Sequence, residues 1–437
     1  MIKVFQFGMA AVICLSLNAS LLAQASAPKV ILAQRYTDLE HGFSLCPPAD
    51  TTAEKRTSLA QPQLITWTKR DAATAAIHWT LAVQKGTEAA PIKDLKAYAE
   101  AAANKMTTQR LLKDAKASLV QVAKKDAFEI TALTADGKFW QKQVWVQGHG
   151  GAFLILIMTG PPDGKITLEP MLSAVLETLE IIDVKALQSQ TQSNLEAGKR
   201  NLITWSDGRI ASVLARQPQW FIITNNDKPV GCLVRREAMA EHGGTHGLEI
   251  KTRLLTKNGQ GATLSSLELF TAADQSYERY EITTSPLGSE KVLQLEQWTK
   301  KNDLLVHHVS QGGKDSKHQT KTPSGTYLSA AGLEIVTRMV ELDKPATYAF
   351  QVYNSSYNGF DTWQLGIVGP TKARIGGKEI PCIRATMQPT LKAEPGELLL
   401  DEKGNVVKLR AAWLNMEAAT AEAAEKLFPE AKDLAKE

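Results

Sequence analysis

The sequence predicts an α+β protein: an N-terminal α/β sandwich followed by a β-rich curved antiparallel sheet or open barrel with one or two helices. Three observations lead there. Stretches of helical period, 92–106 and 170–179, sit among short extended runs in the first part of the chain. A glutamine- and serine-rich stretch, 184–199, then loses the apolar pattern. Beyond it, extended runs follow one another at short spacing around one clear helical stretch, 328–340. The length, 437 residues, fits two domains at roughly 100–200 residues each.

In chain order, residues 1–25 carry Lys3, an apolar run from Phe5 to Leu22, and Ala23-Gln24-Ala25 as a small-residue cleavage site before Ser26. This pattern predicts a signal peptide and a periplasmic or secreted protein. No later run approaches the ~20 apolar residues of a membrane span, so no transmembrane anchor is expected after cleavage. Residues 36–183 form the first expected domain. Tyr36 to Pro48 turns into a strand, and Gln63 to Lys69 and Ala76 to Gln84 are rich in Ile, Thr, Trp and Val. Ile92, Leu95, Tyr98, Ala99, Ala102 and Met106 make one helical stripe. Four extended segments follow between Ala117 and Met158, and Pro170 is expected to open a helix with Leu172, Val175 and Leu179 inward.

Residues 184–199 are expected to be a linker and 200–437 the second domain. There, Asn225-Asn226-Asp227 and Asn258-Gly259 mark reversals between strands. Leu328 to Val340 is predicted as a helix between sheet segments, and Thr420 as the cap of a final short helix carrying Ala424, Leu427 and Phe428.

Tyr36-Thr37-Asp38, Gly42-Phe43-Ser44 and Pro47-Pro48, with the aromatic strand Phe139 to Trp145, the apolar strand Phe153 to Met158 and the closing helix to Ile181, resemble the PsbP-like fold. That family includes the photosystem oxygen-evolving subunit and DcrB-type periplasmic proteins. The resemblance implies an α/β sandwich with binding or assembly roles and brings no catalytic residue. The second domain is similar to LolA/LolB-like curved sheets in Trp220 to Ile223, Lys228 to Cys232 and the Asp401 to Lys408 hairpin. This resemblance implies a hydrophobic concavity.

Lys+Arg 50 against Asp+Glu 46 gives +4 with no basic tract, which speaks against a nucleic-acid partner. No H-E-x-x-H, G-x-S-x-G or phosphate-binding loop occurs, so neither cofactor nor catalytic residue is assigned. His242-Gly243-Gly244-Thr245-His246, with His307-His308 and His318 elsewhere, lacks a complete ligand set, and no metal is assigned. Asp274, Glu278 and Glu281 form an acidic cluster whose last two members face opposite ways on a strand. Trp220, Trp298 and Trp363 are the candidate lining of an apolar groove, although core packing accounts for such residues as readily. Cys232 and Cys382 are the candidate disulfide.

These features lead to the expectation of an exported, non-catalytic binding or envelope accessory protein, holding a lipid or other apolar ligand, or an envelope protein partner, in its second domain. Two alternatives stay open. One is a secreted hydrolase whose site gathers His242 or His246 with His307 or His308 and an acid. The other is a structural envelope protein, for which a filled sheet interior would speak.

Overall fold

A computed structural model describes residues 30–55, 63–86, 92–148, 152–258, 261–289, 291–311, 314–375, 377–411 and 414–434. The expected leader over residues 1–25 and Gly259 of the expected Asn258-Gly259 reversal lie outside the described residues. The protein is α+β, and its chain divides into two compact units that meet in sequence at Ser189 and Gln190.

The N-terminal unit begins with β1 (Tyr36–Asp38), β2 (Phe43–Leu45), β3 (Thr52–Lys55), β4 (Gln63–Arg70) and β5 (Ile77–Lys85). Helix α1 (Leu95–Thr108) leads to β6 (Leu112–Val122), β7 (Lys125–Thr134), β8 (Trp140–Gln147) and β9 (Phe153–Gly160), and α2 (Lys165–Glu177) to β10 (Glu180–Ile181). The main sheet has the order β3-β4-β5-β9-β8-β7-β6, and β1-β2-β10 form a second, small sheet. Alternation in the strands divides two cores. Leu154, Leu156 and Met158 of β9 join Phe43, Leu45, Trp67 and the α2 residues Leu168, Leu172 and Val175. Phe153 and Ile155, one residue out of phase, join Phe128, Ile130 and the α1 residues Ala99 and Ala103. The short side chains on α1 let the helix lie close to the sheet. Asp94 starts it by accepting a bond from Ala97 N at 3.0 Å. Helix α2 begins at Lys165, five residues before the start expected at Pro170, and carries that proline inside it.

Helix α3 (Val184–Ile203) occupies the whole stretch expected as a linker. Its polar residues suggested solvent, yet later turns carry Ala197 and Leu202 against the C-terminal core. There Gly198 comes so near β19 (Ala346–Asn354) that a Cβ would lie 2.0 Å from the Ala349 carbonyl oxygen. Helix α4 (Asp207–Val213) follows, capped by Ser206, and places Ile210 in the core.

The rest of the C-terminal unit is one antiparallel sheet with helices on it. Its strands are β11 (Gln219–Asn225), β12 (Lys228–His242), β13 (Thr245–Asn258), β14 (Gly261–Ala272), β15 (Tyr277–Pro286), β16 (Gln294–Lys301), β17 (Leu304–Gln311) and β18 (Lys314–Lys321). After α5 (Ala330–Met339) come β19, β20 (Gly359–Ile375), β21 (Lys378–Gln388), β22 (Gly396–Leu400), β23 (Val406–Ala411), β24 (Leu414–Ala419) and α6 (Ala421–Leu427). The order β18-β17-β16-β15-β14-β13-β12-β11-β24-β23-β22-β21-β20-β19 makes fourteen strands, curved and not closed into a barrel. The meander β11 to β18 thus occupies one half and β19 to β24 the other, joined where β24 pairs with β11.

Strand alternation aims Leu248, Ile250 and Leu254 of β13 inward and Glu249, Lys251 and Arg253 outward. One face of the sheet carries the main core. Helix α5 packs on β13, β14 and α4, and eight of its ten residues are buried. The outer face of β11 to β13 is covered locally by α6 and the turn after it, through Ala424, Phe428, Ala431 and Leu434.

Candidate functional site

Three clusters of polar groups lie inside the C-terminal unit, each tied to a structural element. The first seats α5. The Glu278 carboxylate on β15 accepts the Trp298 indole N–H at 3.1 Å, the Tyr327 hydroxyl, and the Ala330 backbone N–H at 2.9 Å. The Ser329 hydroxyl caps the helix at Gly332 N, 3.1 Å away. Trp298 stacks on Tyr280 with ring centroids 3.5 Å apart, so the indole is fixed from its face as well as its edge. Burial pushes the Glu278 carboxyl up and these three donors oppose that shift. Burial also lowers the Lys300 ammonium, which bonds the Gln275 carbonyl and lies 5.4 Å from the Tyr327 ring centre. Glu281 faces outward to Arg279 at 3.1 Å, as the spacing predicts, so no carboxylate pair converges here.

The second cluster is four buried charges between β12 and α5. Arg338 holds Glu237 with two bonds of 2.7 Å, and Ala215 N adds a third at 2.9 Å. Arg235 bonds Glu334 and lies 3.5 Å from Glu237. Burial works against the Glu237 charge, but Arg338 and Arg235 outweigh it and hold that carboxyl below its ordinary range. Glu334 has one oxygen without a partner, and burial carries its carboxyl up to about 7.

In the third cluster, His307 on β17 is 1 % exposed. Its Nε2 lies 2.9 Å from Glu296 Oε1, and its Nδ1 lies 3.0 Å from both Asn358 Oδ1 and Tyr353 Oη. Tyr353 and Asn358 belong to the β19–β20 hairpin, so the cluster joins both halves of the sheet by side chains.

The groups expected to form a dispersed active site stay apart. His242 bonds Glu249 at 2.9 Å, and His246 lies 3.5 Å from Asp207. His308 faces the opposite side of β17 from His307, toward Gln297. The three candidate tryptophans do not share a groove either. Trp220 is outward beneath α6, whereas Trp298 and Trp363 belong to the core on the other face, and all three are buried. Adjacent Phe221 and Ile223 take the inward places on β11, which turns Trp220 to the other face.

The candidate disulfide is corrected as well. Cys232 and Cys382 are free thiols. They sit on β12 and β21, five strand steps apart in the sheet, or about 24 Å at ~4.8 Å per step. A disulfide needs Cα atoms within about 7 Å. Burial pushes the Cys232 thiol up to about 12, which keeps it protonated and unreactive.

In the N-terminal unit the opening motif makes a turn. Asp38 Oδ1 accepts from the backbone N–H of Glu40 and of His41 at 3.1 Å and meets His41 Nδ1 at 3.1 Å. Gly42, at φ +74°, closes the turn where a Cβ would meet the Ile182 carbonyl at 2.7 Å. Burial opposes the Asp38 charge, yet the contacts from His41 hold the carboxyl below its ordinary range. Asp38, Glu40 and His41 also bring metal-type donor atoms within 4.8 Å of one another, but Asp38 Oδ1 is committed to the turn.

Sequence reasoning passed over Glu237, Glu296, Glu334, Arg338, Tyr353 and Asn358. The available signal was a charged residue on the apolar face of a predicted element: Glu334 and Arg338 stand four apart within the stripe of α5. Among the described residues no helix is long and apolar enough to cross a membrane.

No protein-family model and no curated protein matches the chain. Among solved structures, the solution structure of cyanobacterial PsbP (CyanoP) from Synechocystis sp. PCC 6803 is similar at 12% identity and a TM-score of 0.28, over 37% of this chain and 98% of that one. The crystal structure of a β-barrel-like protein of the domain of unknown function DUF1849 from Brucella abortus is similar at 12% identity and a TM-score of 0.33, over 46% of this chain and 92% of that one. The first is a PsbP protein, the family that the N-terminal sequence resembles; the LolA/LolB resemblance has no counterpart in these two structures. These likenesses concern fold alone.

Proposed function

We propose that the chain is an exported, non-catalytic envelope accessory protein that works by docking a protein partner. The observation that carries this reading is the state of the polar groups inside the C-terminal unit. Glu278 and His307 and the side chain of Glu237 are buried and bonded to groups that hold α5, β12 or the β19–β20 hairpin in place. A group fully engaged in structural bonds must break them before it can move a proton for a substrate. Helix α5, packed on β13 and β14 with eight of its ten residues buried, supports a protein partner over a lipid or other apolar ligand at that place, because it already covers surface such a ligand would need. Export rests on the pattern of residues 1–25.

The test is cross-linking in intact cells of the organism that makes the protein, followed by mass spectrometry of linked peptides. The expected result is a reproducible link between this chain and an envelope protein. Recovery of the chain alone, with turnover of a substrate by the purified protein, would overturn the reading.

A further inference from the structure

We propose that the chain forms a homodimer in which β6 of one copy pairs with β6 of a second, antiparallel and edge to edge. β6 closes the order β3-β4-β5-β9-β8-β7-β6, and β7 is its strand partner on one side. Its outer side presents backbone N–H and C=O groups with no strand to take them. From Lys116 to Val122 the pairing with β7 is regular, opposite Thr131 to Lys125. A register shift between Lys113 and Lys116 confines the straight edge to this stretch. Ala117, Ser118, Leu119, Val120, Gln121 and Val122 bring no charge and no proline to it. Ser118, Leu119 and Gln121 are exposed, Leu119 at 53%.

The other sheet edges are short, charged or covered. Strands β1, β10 and β3 span three, two and four residues. β18 carries Lys314, Lys317 and Lys321. β19 is bridged by the segment before α5: Gln351 N donates to Thr326 O at 2.8 Å, and Leu328 N donates to Gln351 O at 3.0 Å. Brevity, lysines and cover are the devices that keep an edge from pairing, and residues 117–122 have none of them.

The occupant is a second copy because this edge is complementary to itself. In an antiparallel pair the facing residues turn their backbone groups the same way, so a two-fold axis passes through one residue of the strand. With the axis at Leu119, Ser118 faces Val120, Ala117 faces Gln121 and Lys116 faces Val122 of the other copy. That register uses the whole straight edge and opposes no like charges. With the axis at Val120, Lys116 would face Lys124. With the axis at Ser118, Val122 would face Asp114, which lies within the shifted stretch. Leu119 stands opposite Phe128 of β7, on the side that carries α1. In the Leu119 register the two exposed leucines meet directly, with Cβ atoms about 4.5–5.5 Å apart. One strand from each copy is a small seam beside the about 20–30 residues a side of a standard interface, so the dimer is expected to come apart on dilution.

The experiment is sedimentation velocity of the purified protein from about 5 to about 500 μM. The expected result is a concentration-dependent shift from one chain to two. It should be abolished in Leu119→Lys, which sets two ammonium groups opposite each other at an exposed position. It should be retained in Ile166→Lys, which alters an 84% exposed side chain on α2. Cysteine variants read the register independently: under mild oxidation Leu119→Cys should give a covalent dimer beyond the level of the wild-type chain. Gln121→Cys should not, because its two copies stand four residues out of register. A single chain throughout, a dimer unaffected by Leu119→Lys, a dimer lost in Ile166→Lys, or a covalent dimer from Gln121→Cys in place of Leu119→Cys would each overturn the pairing.

Discussion

Glu334 illustrates how a single buried carboxyl shapes the behaviour of the protein. Burial holds its folded carboxyl at about 7 against an ordinary 4.5. Between those values the folded state binds a proton that the unfolded state has lost. The resulting stabilisation is fully present below pH 4.5 and is lost as pH rises through about 7. A shift of this size corresponds to up to about 3 kcal/mol. Denaturant unfolding at pH 5 and pH 7.5 should show the loss in the wild-type chain and a much smaller one in Glu334→Gln. Equal losses in both would contradict the assignment. Glu237 acts with the opposite sign: its lowered carboxyl contributes stability that is present above the ordinary 4.5 and is lost as pH falls from there through its lowered folded value, so the two groups report in separate windows.

At the scale of elements, Gly198 makes the sharpest distinction. Replacing glycine by alanine inside an exposed helix normally stabilises it by about 1 kcal/mol. Here the added Cβ would lie 2.0 Å from the Ala349 carbonyl oxygen, a backbone atom with little freedom to yield. Gly198→Ala should therefore destabilise the chain by about 1–3 kcal/mol, measured by denaturant unfolding; a gain would mean that α3 does not lie on β19.

The same helix shows where sequence stopped being informative. Its composition resembled a linker because only a few residues per turn touch the core. Helix α5 was legible from its apolar period and α6 from its cap Thr420. Strands β3 and β18 were not, because both are edge strands without the alternation a buried face imposes. β18 carries Lys314, Lys317 and Lys321, the kind of sequence that deters pairing with another chain. The groups around His307 come from strands distant in sequence, and no local spacing marks such a meeting.

For the whole molecule, the N-terminal sandwich and the C-terminal sheet were legible as two textures, and the opening Tyr36 to Pro48 motif pointed to the first. Curvature in the second was also legible, but its use was not. A curved sheet with aromatic residues suggests a container. Here the core face holds α5, a polar seat at Glu278, and a network of Arg235, Glu237, Glu334 and Arg338, and Trp298 and Trp363 belong to that core. Trp220 belongs to a separate cluster on the outer face, which removes the geometric basis for a groove lined by all three.

Native mass spectrometry of the protein purified without detergent from the cells that make it is the most direct test. The expected mass equals that of polypeptide alone, unchanged by extraction with organic solvent. Additional organic mass that disappears on extraction would contradict it, because an apolar ligand would then occupy space that α5 and its neighbours are described as filling.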